Sequence, residues 1–110
     1  MSIENRNLTI ERGTDFSKTL TIKINGNIVD LTGYTIVSKI RKHYNSTTSY
    51  NFTTTVVSAV NGSLKIDMND TITSSIPFGR YVWDLVITKN NITTKVIKGT
   101  VIVEGTASLS

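Results

Sequence analysis

Polar and apolar residues alternate along most of this sequence, with the period of two that belongs to a β-strand with one buried face. The densest example is YVWDLVI, residues 81–87, in which Tyr81, Trp83 and Leu85 share one face. A row of rings would also suit a sugar-stacking platform, but such platforms expose their rings. Because this segment carries the strongest apolar signal of the chain, we interpret it as a central strand whose rings lie in the core.

The same alternation predicts seven or eight strands. They cover residues 8–10, 16–24, 28–29, 34–44, 48–60, 64–68, 80–88 and 92–103. Thr, Val, Ile and Tyr dominate these segments, as is typical of strands. Only one helical turn is predicted, over residues 70–76, with Asp70 as its N-cap. No repeat or linker divides the chain, so we expect an all-β protein that forms one β-sandwich domain over residues 1–110, with short polar terminal arms.

Turn residues separate the predicted strands. Asn-Gly pairs predict two-residue hairpins with a positive φ at Gly26 and Gly62, and the DLTG turn predicts the same conformation at Gly33. Asn90 and Asn91 mark a further turn. The predicted core follows from the inward faces of the strands and includes Phe16, Leu20, Ile22, Ile36, Ile40, Leu64, Ile66, Tyr81, Trp83, Leu85, Val101 and Val103.

Composition excludes several kinds of site. The 110 residues include no cysteine and a single histidine, His43, so thiolate sites, disulfides and sites built from several histidines are excluded. The net charge of +4 is compatible with an acidic partner but does not establish one. No apolar run approaches the roughly 20 residues of a membrane span, and the start of the sequence has no apolar leader segment. We therefore expect a protein that neither enters a membrane nor carries a cleaved leader.

A basic stretch, SKIRKHYNSTTSYNF over residues 38–52, is the strongest candidate for a contact site. In a strand over residues 34–44, alternation points Lys39, Arg41 and His43 outward, whereas Tyr44 falls on the other side with the apolar residues. Single-stranded nucleic acid is bound by rings and cations on one face, so this segregation argues against such a partner. The outward row is interpreted as a solvated strand face or as a contact with an acidic neighbour.

Catalytic patterns are absent from the sequence. Asp67 and Asp84 alternate with apolar residues and are predicted to point outward, and no pair of carboxylates has a spacing that suggests acid–base chemistry. Nucleophile, phosphate-loop and calcium-loop motifs do not occur. We expect no enzyme, no cofactor and no metal site.

Four segments together resemble small virion proteins of tailed bacteriophages and the N-terminal domains of phage baseplate upper proteins. They are IERGTDF, DLTGYTIVSKIR, NGSLKIDMNDTITSSIPFGRYVWDLVI and IKGTVIVEG, and their order covers nearly the whole chain. The resemblance implies an immunoglobulin-like antiparallel β-sandwich that serves as a non-enzymatic building block of the virion, in the baseplate, tail, neck or head surface.

Three functional hypotheses follow. The first is a structural protein that contacts other virion proteins in a multi-copy assembly, with Lys39, Arg41 and His43 as candidate contacts. The second is a module that binds a host-surface glycan, and the third is a non-viral adhesion or matrix domain. Since the inward faces use most apolar residues, we expect contacts through strand edges and through the terminal segments 2–7 and 105–110, which are too polar to pack alone.

Overall fold

The computed structural model describes residues 4–105, in which eleven strands surround one core and a single short helix joins two of them. The strands are β1 (Glu4–Asn5), β2 (Leu8–Glu11), β3 (Phe16–Thr21), β4 (Lys23–Ile24), β5 (Asn27–Ile28), β6 (Thr35–Arg41), β7 (Ser49–Asn51), β8 (Thr53–Ser58), β9 (Ser63–Met68), β10 (Gly79–Lys89) and β11 (Ile92–Glu104). The helix α1 spans Asp70–Ser75. The all-β prediction is confirmed.

Two sheets supply most of the core. The six-stranded sheet has the order β1-β11-β10-β6-β7, with β2 also paired to β11, and the three-stranded sheet has the order β3-β9-β8. A small hairpin of β4 and β5 forms the third sheet. The expected antiparallel pattern holds for most pairs but is wrong at the chain's start, where β1 and β2 both run parallel to β11.

The predicted count of seven or eight strands is too low because two long predicted strands divide. Residues 16–24 split into β3 and β4, which belong to different sheets. Residues 48–60 split at Phe52, so that β7 completes the six-stranded sheet and β8 joins the three-stranded one. The side chain of Phe52 is buried, and its backbone N–H donates to the Ser38 carbonyl at 3.0 Å. The chain therefore crosses between sheets while one of its rings stays in the core.

The core lies between these sheets and is centred on Trp83. The Phe52 ring meets the Trp83 ring edge-on, with centroids 6.0 Å apart, and also contacts the Phe16 ring at 5.6 Å. Ten of the twelve predicted core residues are buried, while Phe16 and Ile36 are partly buried against them. Further buried residues are Leu8, Ile10, Leu31, Phe52, Met68, Ile76, Ile87, Val96 and Ile97. The prediction that the row of Tyr81, Trp83 and Leu85 is core is confirmed.

Positive φ angles occur at each glycine for which they were predicted: 82° at Gly26, 66° at Gly62 and 81° at Gly33. The two-residue hairpin is confirmed between the paired residues Ile24 and Asn27. The prediction of a two-residue hairpin is wrong at Gly62, because Ser58 pairs with Ser63 and residues 59–62 form a longer loop. The Gly62 N–H donates to the Ala59 carbonyl at 3.1 Å, which closes that loop.

The helix begins one residue earlier than predicted. Asn69, not Asp70, is the N-cap, since its side chain accepts a hydrogen bond from the Ile72 N–H at 3.0 Å. Asp70 is the first helical residue, where its negative charge suits the positive end of the helix dipole. Its own backbone N–H donates to Asp15 Oδ1 at 2.8 Å, which fastens the helix to the start of β3.

The N-terminal segment is part of the fold, contrary to the expectation that residues 2–7 need a partner to become ordered. The Trp83 indole N–H donates to the Arg6 carbonyl at 2.7 Å, and Asn7 Oδ1 accepts from both the N–H and the hydroxyl of Thr100. Gly99 allows this close approach, because a Cβ there would lie 1.9 Å from the Arg6 carbonyl oxygen. Residues 2, 3 and 106–110 of the two predicted arms lie outside the described residues.

Candidate interaction surface

The side of the six-stranded sheet that points away from the core is the candidate surface, and we call it the outer face. Its centre is Asp84 on β10, which is paired with Lys39 of β6 on one side and with Lys98 of β11 on the other. One row along, Val82 lies between Arg41 and Thr100. The outward direction predicted for Asp84, Lys39 and Arg41 is therefore confirmed by the register.

Cations outnumber carboxylates at the centre of this face. Lys39, Arg41, Lys95 and Lys98 surround Asp84, and the Lys95 ammonium lies 3.3 Å from Asp84 Oδ2. That pair is partly exposed, and such pairs contribute only about 0–1 kcal/mol to stability. Four cations against one carboxylate leave this part of the face with a net positive charge.

A register irregularity brings Lys95 to the outer face. Between Leu85 and Val86 the pairing shifts by one residue, so that Leu85 pairs with Ile97 and Val86 pairs with Lys95. The extra residue, Val96, is 1% exposed. Without this bulge, a strict period of two from Ile97 would point Lys95 into the core. Neither Lys95 nor Lys98 was among the contact residues predicted from the sequence.

Tyr44 also lies over the outer face, which corrects the prediction that it shares the apolar side. The predicted strand 34–44 ends at Arg41, and the following turn carries Tyr44 back across the sheet. The Lys95 ammonium is 4.9 Å from the centroid of the Tyr44 ring, which is 51% exposed. A cavity of about 30 Å³ lies here, lined by Lys39, Arg41, Tyr44, Val82, Trp83 and Asp84. The predicted separation of rings and outward cations onto different faces is therefore wrong for Tyr44.

The three predicted contact residues have different environments. Lys39 lies within the sheet and is half-buried. The Arg41 guanidinium donates to the Ser46 carbonyl and so helps to hold the turn that carries Tyr44. His43 is exposed in that turn, beyond the end of the strand, and its backbone N–H donates to Ser46 Oγ at 3.0 Å. The structure brings Lys39 and Arg41 together, whereas His43 is not part of a strand row.

Several acidic side chains away from the outer face have structural partners. Asp15 accepts the Asp70 N–H, and Asp67 lies 3.5 Å from the Lys65 ammonium. Hydrogen bonds from the Thr32 hydroxyl and N–H lower the pKa of Asp30. Within residues 4–105, no group of three histidine, aspartate or glutamate side chains is close enough to hold a metal ion. In the same range, no helix is long and apolar enough to cross a membrane.

Solved structures resemble this fold. The N-terminal domain of ORF48 from phage TP901-1 matches with a TM-score of 0.57 and 16% sequence identity, over 94% of this chain and 85% of that one. InlP of Listeria monocytogenes matches with a TM-score of 0.50 and 13% identity, over 93% of this chain and 28% of InlP. No protein-family model matches the sequence, and no curated protein does so. The chain shares its fold with a domain of a phage protein.

Proposed function

We propose that this protein is a non-enzymatic structural subunit of a tailed-phage virion, acting through protein–protein contacts in a multi-copy assembly. The observation that carries the proposal is the likeness to the phage TP901-1 domain, which extends over nearly the whole length of both chains. The order of sequence segments that resembles phage virion proteins is an independent support. Such a subunit would belong to the baseplate, tail, neck or head surface of the particle.

An immunoglobulin-like β-sandwich is the architecture that we assign to this subunit. Two features support it: a six-stranded and a three-stranded sheet share one core, and a buried tryptophan lies at the centre of that core. A rigid sandwich presents its outer sheet face as a preformed surface, so that little conformational entropy is lost when a neighbour binds.

The outer face is the surface that we assign to a neighbouring subunit with acidic side chains. Lys39 and Lys98 flank Asp84 and are half-buried, which limits the side-chain entropy lost on binding. Each exposed ion pair is worth only ~0.2–1 kcal/mol. Attachment would therefore depend on many copies engaging at once, as expected for a component of a symmetric particle.

A glycan-binding module is the second candidate, and Tyr44 is the observation that favours it. Its ring is exposed beside the charged and hydrogen-bonding groups of Asp84 and Arg41, a combination of apolar surface and polar atoms that suits a sugar. Tyr81 and Trp83 are buried, so Tyr44 is the ring that a sugar site on the outer face would use. Nucleic acid is a weaker candidate, because stacking of successive bases needs several rings on one face.

The test is incorporation into particles. We would complement a phage that lacks the gene with wild-type protein or with the Lys39→Glu, Lys98→Glu double variant, purify the particles and count copies by mass spectrometry. Two such contacts are worth ~0.4–2 kcal/mol in total, so their loss should weaken binding at each site roughly 2- to 30-fold and lower the number of copies per particle. The control is Lys18→Glu with Lys23→Glu, because these exposed lysines lie off the outer face and their reversal changes the net charge equally.

The outcomes separate the candidates. Particles without the protein would overturn the structural role, and equal incorporation of both double variants would overturn the assignment of the outer face. A glycan array read with wild type and Tyr44→Ala tests the second candidate. Binding that depends on Tyr44 would favour it, and signals at background would refute it.

A further inference from the structure

One strand edge differs from the other edges of the two large sheets. Edge strands usually carry a feature that prevents pairing with another chain, such as an inward-pointing charge or a very short length. On the three-stranded sheet, the edge strand β3 carries Lys18 at an inward position opposite Ile66. On the six-stranded sheet, β7 spans only Ser49–Asn51, and the opposite edge carries charged residues such as Glu4 and Glu11. The strand β8 is the remaining edge; it carries no charge, and its protective feature is an irregularity in its pairing at residues 56–58.

The edge at β8 has no charge on it or near it in sequence. Its residues are TTTVVS, and no charged residue lies between His43 and Lys65. The first part of β8 is held close to β6, since the Thr54 hydroxyl donates to the Ile36 carbonyl at 3.3 Å. The open part of this edge is therefore residues 55–58, followed by the loop 59–62.

Exposed aliphatic side chains cluster at this open part. Val57 is 61% exposed, Val60 is 70% exposed and Val56 is 43% exposed. Ile28, at 55%, lies beside the same loop, because its Cγ2 is 3.0 Å from where a Cβ on Gly62 would lie. The expectation that the inward faces use nearly all apolar residues is therefore wrong at this end of the three-stranded sheet. We call Ile28, Val56, Val57 and Val60 the valine patch.

We propose that the valine patch and the open edge of β8 form a self-association surface, on which a second copy of this chain docks about a two-fold axis. Charge selects this occupant. The chain carries a net charge of +4, so two copies repel through most of their surfaces and above all through the outer face. The uncharged edge is where two copies can meet without like-charge contact.

Self-complementarity supports the same occupant. A two-fold contact places the same residues on both sides, so the β-branched side chains of one β8 would pack against those of the other. The pairing between β8 and β9 is irregular at residues 56–58, which leaves Val57 outside the regular ladder and free to pack against a partner. The contact is thus apolar packing of these side chains, because the irregularity at residues 56–58 disfavours a continuous ladder between the two edges.

The experiment uses the full chain in isolation and does not depend on the proposed virion role. Sedimentation equilibrium from roughly 10 µM to 1 mM should show an average mass that rises from 12.1 kDa toward twice that value. Val57→Lys should raise the dimer dissociation constant at least about tenfold. Ile102→Lys is the matched control, since Ile102 is also an exposed aliphatic strand residue but lies on the six-stranded sheet.

Two further readouts make the test specific. Raising NaCl from about 0.05 to 0.5 M should leave dimerisation unchanged or stronger, since screening weakens contacts between charges and not apolar packing. Because the chain lacks cysteine, a single Val57→Cys variant should form disulfide-linked dimers on oxidation, whereas Ile102→Cys should not. A monomeric mass at every concentration, equal effects of the two lysine variants, or cross-linking at 102 as strong as at 57 would overturn the proposal.

Discussion

Replacing Gly99 by alanine should destabilise the protein by displacing the N-terminal segment. The new methyl group would lie 1.9 Å from the Arg6 carbonyl oxygen and 3.1 Å from Trp83 Nε1, so the Arg6 backbone must move away. The contact is with backbone, which cannot yield as the end of a flexible side chain can. When the carbonyl moves, the hydrogen bond from the Trp83 indole is lost.

The expected loss in the free energy of unfolding follows from the buried indole N–H that is left without an acceptor. Trp83 is 1% exposed, and a buried donor without a partner costs about 1–3 kcal/mol. The bonds from Thr100 to Asn7 in the same segment contribute about 1 kcal/mol more. Alanine offsets some of this, because it restricts the unfolded chain by about 0.4–1 kcal/mol relative to glycine. The net loss is about 1–3.5 kcal/mol, which for a domain of this size lowers Tm by roughly 5–20 °C.

Thermal unfolding followed by circular dichroism measures this loss, with Gly105→Ala as the control. A Cβ at Gly105 would meet only the Phe78 side chain, at 3.2 Å, so its Tm should change little. Repeating Gly99→Ala in a Trp83→Phe background removes the indole N–H and should reduce the cost of the alanine by about 1–2 kcal/mol. A Gly99→Ala protein that melts within about 2 °C of wild type would refute the proposed crowding of Arg6 over Gly99.

Two further predictions concern the helix and the loss of folding stability at alkaline pH. Asn69→Ala should lower the free energy of unfolding by about 1 kcal/mol because it removes the N-cap, and Asp70→Ala should lower it by less. Equal losses for the two variants in urea unfolding would contradict the assignment of Asn69 as the cap. Burial raises the pKa of Tyr81, so its stabilising contribution is complete below the ordinary tyrosine pKa of about 10 and is lost as pH rises through the raised value. Between pH 9 and 11, the Tm of Tyr81→Phe should therefore fall by less than the Tm of wild type. Equal falls in Tm would contradict the raised pKa of Tyr81.

Strand positions could be predicted because alternation records which side chains are buried. Sheet membership could not be predicted, since no Gly, Pro or other turn signal marks Phe52, the point at which the chain changes sheets. The position of Lys95 could not be predicted for a related reason. One extra residue, Val96, reverses the direction of the Lys95 side chain, and no turn signal marks a bulge inside a strand. The face on which Tyr44 lies depends on where its strand ends, and strand ends are set by pairing with residues distant in sequence.

The N-terminal segment shows a different limit. Its side chains are polar, so composition indicates a loose arm, yet its backbone carbonyl at Arg6 satisfies the buried indole of Trp83. That interaction joins residues 77 positions apart and depends on the missing side chain of Gly99. Hydrophobic patterning describes side chains only, so it cannot predict that a backbone carbonyl accepts a hydrogen bond from a buried side chain.

The parallel pairing of the first strands with the last has a mechanical consequence. Glu4 pairs with Ile97 near the middle of β11, and Glu11 pairs with Glu104 at its end, so the described chain enters beside the middle of β11 and leaves from the end of that strand. Tension applied between these two points would pull β2 and β11 along their length in opposite directions. The hydrogen bonds between them would then be sheared together and would not open one after another, as they do when a hairpin is peeled apart. The fold is therefore arranged to resist stretching along the axis that joins its two ends.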